Sequence, residues 1–206
     1  DLKNKHFKIK AIAGHDEKKL LEELHQLLDK LPQRFKLCGH NGKEFDFPFI
    51  ARRMLANGIL LPDILDHRGK KPWEVPHIDT MELWKMGDYK HFTSLDLLTC
   101  LFSIPTPKDD ISGKDVAEVY WKNDDLSRIV KYCNKDVQAL VQVYLSMHAL
   151  DVLAEEQIIF QDIEKNYDKN DTFYQKNNLL YFFDHFIAHC YTINGTEKKS
   201  QKKPRH

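Results

Sequence analysis

The chain lacks several features that would assign it quickly to a class. Its four cysteines, Cys38, Cys100, Cys133 and Cys190, fall far apart and form no C-x-x-C pair, which argues against a zinc ribbon and against a disulfide framework. Cys38, Cys100 and Cys133 lie in apolar runs and are expected to be reduced, buried thiols of a cytoplasmic protein. Charge of one sign is not in excess either: acidic and basic residues number 31 each, for a formal net charge of zero. That excludes a bulk electrostatic nucleic-acid binder and leaves local basic patches open. No apolar run is long enough for a membrane, and no stretch has the pattern of a signal peptide. The H-E-x-x-H pattern is missing too. His185 and His189, spaced i, i+4, are therefore expected to be core or surface histidines and not metal ligands.

At 206 residues the chain suits one domain with an extended tail, and a core of that size needs no staples. Phe7 to Ala13 alternates apolar Phe7, Ile9 and Ala11 with Lys8 and Lys10, predicting a half-exposed strand whose lysines suit a sheet edge. Asp16 can cap a packing helix in which leucines recur at helical spacing from Leu20 to Leu31, until Pro32 stops it. Arg34 to Cys38 predicts a second strand, Leu60 to Val75 a connecting loop, and His77 to Leu83 a returning strand. From Gly87, Tyr89, Lys90, His91 and Phe92 interleave aromatic and basic groups before a helix capped by Thr93 or Ser94. Such interleaving suits stacking on bases with phosphate neutralisation, and equally a loop whose aromatics dock on the body. Ile104 to Ser112 is turn-rich and Gly113 to Trp121 predicts a short helix. Asp124 or Asp125 can cap a long helix with an apolar stripe running from Leu126 to Tyr144. Glu155 to Phe160 predicts a last strand, Asp168 to Asn178 a polar loop, Asn178 to Tyr191 an aromatic-rich helix, and KKSQKKPRH a basic, disordered tail.

Two places hold the candidate chemistry. In Gly39 to Arg53, GHNGKEFDFPFIARR, an apolar run ends in a polar turn carrying His40, Asn41 and Asp46, and a periodic apolar segment follows. Strand ends and helix N-termini present side chains and free N–H groups to one crevice in α/β folds. Pro48 is tolerated in a first turn, which makes Asp46 the expected N-cap; an ordinary cap accepting backbone bonds is the plain alternative to chemistry there. On the long helix, Tyr132 and Asp136 stand four residues apart and so share a face.

The pairing of Asn41-x-x-x-Phe45-Asp46 with Tyr132-x-x-x-Asp136 resembles the second and third exonuclease motifs of the DnaQ-like, RNase H-like 3′-to-5′ exonucleases, in the tyrosine-bearing (DEDDy) branch. LCGHNGKEFDFPFIARRM, KKPWEV, DTMELWK, GDYKHFTSLDLL and IPTPKDDISG are similar to a bacterial group of predicted exonucleases akin to the proofreading domain of family B DNA polymerases. The likeness runs from about Phe7 to Leu145. It implies an α/β, three-layer fold with a mixed central sheet flanked by helices. It further implies hydrolysis at DNA 3′ ends with two Mg2+ or Mn2+ ions, whose preference for hard oxygen accounts for the carboxylates. On this likeness Asp136 is a direct metal ligand and Asp46 a ligand directly or through water. Tyr132 holds the attacking water or the scissile phosphate, Phe45 stacks against terminal bases, and Asn41 helps to hold the strand. Residues 1–160 would be the exonuclease-like domain and 161–206 an atypical extension.

The first motif of the superfamily, an Asp-x-Glu on the central strand, precedes the strand that Phe7 to Ala13 resembles. Residue 1 is Asp, and the first elements look like the middle of a fold. The chain is therefore expected to be a fragment or a processed product, without its first strand. A non-catalytic nucleic-acid-binding remnant is the other functional class to weigh. Asp162-Ile163-Glu164, following Ile158, Ile159 and Phe160, is the one candidate substitute for the first motif.

Overall fold

In the computed structural model the described residues are 6–88, 90–105, 111–161 and, for the backbone alone, 189–191. Strand β1 (Phe7–Lys10) buries Ile9 and turns its lysines outward, as its alternation requires. Helix α1 (Glu17–Asp29) starts where the Asp16 carboxylate accepts the N–H of Lys19 at 3.2 Å. Its buried stripe of Leu20, Leu21, Leu24 and Leu28 packs on Leu37 of β2 (Lys36–Gly39) and on Phe47, Ile50 and Met54 of α2 (Asp46–Ala56). Burying each of these large side chains contributes about 1.5–3 kcal/mol. Asn57 and Gly58, the latter at φ +71°, end α2 in the manner expected of a glycine stop. Glu17 ties the two helices together, since Arg53 donates to both of its carboxylate oxygens at 2.6 Å.

The segment 60–75 contains two short 3-10 turns, Asp63–Leu65 and Pro72–Glu74. The returning strand is shorter than its apolar run suggests: β3 is Ile78–Asp79, and α3 (Thr80–Lys85) begins at once. The Asp79 side chain is the reason, because it accepts the N–H groups of Met81 and Glu82 and so starts the helix. Ser94 caps α4 (Leu95–Leu101) through the N–H of Leu97. A short helix α5 (Val116–Glu118) runs into a π-helical turn, Val119–Asn123. Asp125 then caps α6 (Leu126–Met147) by accepting from Arg128 N–H at 3.0 Å. Strand β4 (Ile158–Gln161) and strand β5 (His189–Tyr191) complete the described elements. Residues 189–191 are thus extended, where an aromatic-rich helix was expected.

This is a mixed α/β fold with helices and small parallel sheets, consistent with an RNase H-like exonuclease domain. Strand β1 pairs in parallel with β4, Phe7 opposite Ile158. Strand β2 pairs in parallel with β3, Gly39 opposite Asp79, and antiparallel with β5. Both edges of β2 are taken by β3 and β5, so β1 stands in a separate ladder. Beneath β1, Ile9, Val137 of α6 and Ile158 form a small cluster of their own.

Two buried polar side chains hold loops to this frame. Gln142 of α6 donates to the Leu153 carbonyl and accepts the Leu153 N–H, both at 2.8 Å, as a neighbouring strand would. His77 accepts the Leu37 N–H at Nδ1 (3.3 Å), which leaves the proton on Nε2, facing the Ile64 carbonyl at 2.8 Å and the His67 ring at 2.9 Å. Burial holds the His77 imidazole down to about 4. Cys38 is buried and Cys133 half-buried, and burial pushes both thiols up to about 12. Cys100 is exposed, contrary to expectation: α4 turns Leu98 and Thr99 inward, which leaves Cys100 on the outer face.

Candidate active site

Strand β2 ends in a turn that delivers the first group of candidates. Asn41 adopts φ +62°, a left-handed conformation that asparagine tolerates better than most residues. Gly42 is needed beside it, because a Cβ there would come within 3.0 Å of the Phe47 ring. The turn passes to α2 through main-chain bonds: Phe45 N–H donates to the Asn41 carbonyl at 3.1 Å, and Phe47 N–H to that of Gly42 at 2.9 Å. Asp46 is consequently the first helical residue and not the cap. Phe45 holds the cap position without a side-chain bond. Asp46 is buried at the turn, and burial first, then the nearby charge of Asp79, pushes its carboxyl up to about 7 against the opposing bond from its own N–H. Phe45 is 39% exposed, with its ring stacked on Phe49 at a centroid distance of 6.1 Å.

The sequence places His40 in the turn without a role, and gives none to Asp79. The Asp79 carboxylate, 3% exposed, accepts the N–H groups of Asn41 (2.9 Å) and Lys43 (3.0 Å) from the turn, and of Met81 (3.0 Å) and Glu82 (3.4 Å) from α3. His40 links the turn to the segment before α4: its Nε2–H donates to the Thr93 carbonyl at 2.8 Å, and its Nδ1 meets the Thr80 hydroxyl at 2.9 Å. Burial lowers the His40 pKa, which suits the neutral ring that this pattern needs. The signals available were an Asp ahead of a short apolar helix and a histidine in the turn itself.

The second group lies on α6. The Tyr132 hydroxyl donates to the Asp136 carboxylate, and both side chains are half-buried. Burial first, then the Asp136 charge and that hydrogen bond, raises the phenol above its ordinary range, so Tyr132 remains a neutral donor at physiological pH. Asp96, at the start of α4, acts electrostatically on both His40 and Tyr132. Next to Thr93, whose carbonyl His40 engages, Phe92 is 65% exposed, with Lys85 4.4 Å over its ring. Phe92 is thus largely exposed and meets α3 through Lys85.

A family described as predicted 3′-5′ exonucleases related to the exonuclease domain of PolB matches residues 1–187. The chain belongs to this exonuclease family. No solved structure matches it. The family implies a nucleic-acid substrate, and no described helix is long and apolar enough to cross a membrane.

Exonucleases of this kind generally use divalent metals, and the donors here suit them in kind. Asp46 and Asp136 offer hard carboxylate oxygen, and a cation beside Asp46 would offset the repulsion from Asp79. Among the described residues no three His, Cys, Asp or Glu side chains converge as a cation site. Asp162, Ile163 and Glu164 lie outside the described residues, as do Tyr89, the side chains of His185 and His189, and the basic tail.

Proposed function

We propose that this exonuclease-family chain removes nucleotides from DNA 3′ ends, with single-stranded DNA as the substrate, by hydrolysis that depends on two Mg2+ or Mn2+ ions. The observation that carries the reading is the Asp46 carboxyl, buried at the strand-to-helix turn and pushed to about 7 beside a second carboxylate. A buried carboxylate whose ionised form is opposed by its surroundings gains from a cation beside it, which is what a cation-dependent site supplies. Asp46 and Asp136 would hold the ions, which when bound supply an activated water and offset the charge on the phosphate.

The chain's own residues have defined parts. Tyr132, held protonated, donates a hydrogen bond and positions the water or the scissile phosphate without accepting a proton. Asn41, on its left-handed turn, holds the terminal nucleotide, and exposed Phe45 stacks against a base. Phe92 and Lys85 extend the path with a stacking surface and a cation. The unreactive thiols of Cys38 and Cys133 suit a reducing, cytoplasmic compartment.

A second reading, a non-catalytic nucleic-acid-binding member of the family, draws on the lack of three convergent ligands among the described residues. End-labelled single-stranded DNA with Mg2+ separates the two. Stepwise shortening that Asp136→Ala abolishes is the expected result. Binding without shortening would replace the first reading with the second.

A further inference from the structure

The turn after β2 rests on one buried side chain, Asp79, to which the sequence motifs assign no role. The parallel register of β2 and β3 sets Gly39 opposite Asp79, which brings the Asp79 carboxylate under the turn that follows β2. There it accepts Asn41 N–H on Oδ1 and Lys43 N–H on Oδ2, while Oδ1 also accepts Met81 and Glu82 from α3. An ionised carboxylate is acceptor-only and has lone pairs for four donors, whereas an amide would turn its NH2 toward some of them. Outside this contact, Lys43 Nζ pairs with Glu82 at 2.8 Å, a second tie between the turn and α3.

What the carboxylate grips leads directly to the candidate residues. The carbonyls of Asn41 and Gly42 receive the N–H groups of Phe45 and Phe47, so the position of the turn fixes the start of α2 and with it Asp46. Capping α3 alone would need only a short hydroxyl or an amide. A buried negative charge that repels Asp46 is a poor choice for that task and a good one for bridging two segments.

We propose that Asp79 is the positioning residue of the site, its carboxylate clamping the N–H groups of Asn41 and Lys43 to the N-terminus of α3 and thereby setting where Asn41, Phe45 and Asp46 stand. It touches neither the scissile phosphate nor the reacting water. The role rests on the exonuclease reading for its catalytic consequence and on geometry alone for its structural one.

Asp79→Ser and Asp79→Asn in the 206-residue chain separate clamping from capping, because serine is a good helix cap and too short to span to the turn. With Mg2+ and labelled single-stranded DNA, Asp79→Ser is expected to lose about 10²-fold in kcat, the scale of a 1 Å misplacement, with KM within about threefold. Amide exchange is expected to quicken in peptides covering 39–47 and to stay unchanged in α3 and α6. A folded Asp79→Ser chain with unaltered kcat and unaltered exchange at 39–47 overturns the proposal. If the wild-type chain shortens no DNA, the exonuclease reading fails, and the exchange comparison still decides the clamp by the same two outcomes. Asp79→Asn, which keeps one acceptor oxygen, is expected to fall between serine and the wild type in both measurements. An Asp79→Asn chain worse than Asp79→Ser would count against the clamp.

Discussion

Asp46 and Asp79 hold two buried carboxylates near enough for the charge of one to oppose the charge of the other. The unfolded chain ionises Asp46 near its ordinary 3.8, whereas the folded chain keeps the proton until about 7. Between those values the native state binds more protons, so this group makes stability fall as pH rises from about 4 to 7. Asp46→Asn is therefore expected to stabilise the chain above pH 7, by about 1–2 kcal/mol, or roughly 2–8 °C in Tm for a domain of this size. Thermal melts at pH 5 and pH 8 test this. Stabilisation at pH 5 equal to that at pH 8 would count against it. Millimolar Mg2+ at pH 8 is expected to raise the Tm of the wild type and to leave Asp46→Asn nearly unmoved.

His77 works in the opposite direction over much of the same range. Its folded pKa lies at about 4, below the ordinary 6.5, so the unfolded state takes up the proton first as pH falls. Stability is lost between about 6.5 and 4. In the wild type the two groups partly cancel. Urea titrations of Asp46→Asn are expected to show stability rising with pH from 4 to 6.5, and His77→Gln to remove that rise. Because the imidazole also accepts the Leu37 N–H, His77→Gln is further expected to weaken the fold at all pH values.

Tyr132→Phe deletes one hydroxyl from the Asp136 pair. A loss of about 10- to 100-fold in kcat is expected, with DNA binding retained, since a positioned donor acts on the transition state more than on the ground state. The raised phenol pKa adds a second expectation: the rate profile between pH 8 and 10 shows no limb that Tyr132→Phe removes. Such a limb would make Tyr132 a base.

The rim formed by Lys85 and Phe92 is open to a direct check. Phe92→Ala is expected to weaken binding of single-stranded oligonucleotides by about 1–3 kcal/mol, the ordinary worth of one stacked base. Lys85→Ala is expected to weaken it less and to flatten its salt dependence. Anisotropy titrations at two salt concentrations suffice, and unchanged affinity in Phe92→Ala would take this surface out of the substrate path.

Away from the site, Gln142→Ala strips both bonds from Leu153 and leaves part-buried main-chain groups without them. A cost of about 1–3 kcal/mol is expected in urea unfolding, with DNA hydrolysis unchanged below the melting range.

The helices were legible because their periods and caps are local. Asp16 and Asp125 both cap where the sequence allowed, and Tyr132 with Asp136 meets on one face of α6 by spacing alone. Asp46 stands out through its motif, although its place at the first helical position depends on main-chain bonds back to Asn41 and Gly42 that no residue type announces. Asp79 was missed for a related reason. A carboxylate ahead of a short helix resembles any cap, and its second pair of donors arrives from residues almost forty positions away, through a strand register that the sequence does not display. A far longer separation, Phe7 to Ile158, hid the β1–β4 pairing. Cys100 was misplaced because LDLLTCLF is apolar on too many sides for a seven-residue helix to declare which face is covered.

That outward cysteine gives the protein a reporter of its own. Cys100 lies one helical turn beyond Asp96 on α4, while the thiols of Cys38 and Cys133 are held too high to react readily. Once Cys190 is replaced by serine, a maleimide dye is expected to label Cys100 on the outer face of α4, and a change in its emission on adding single-stranded DNA would show whether a strand passes this helix.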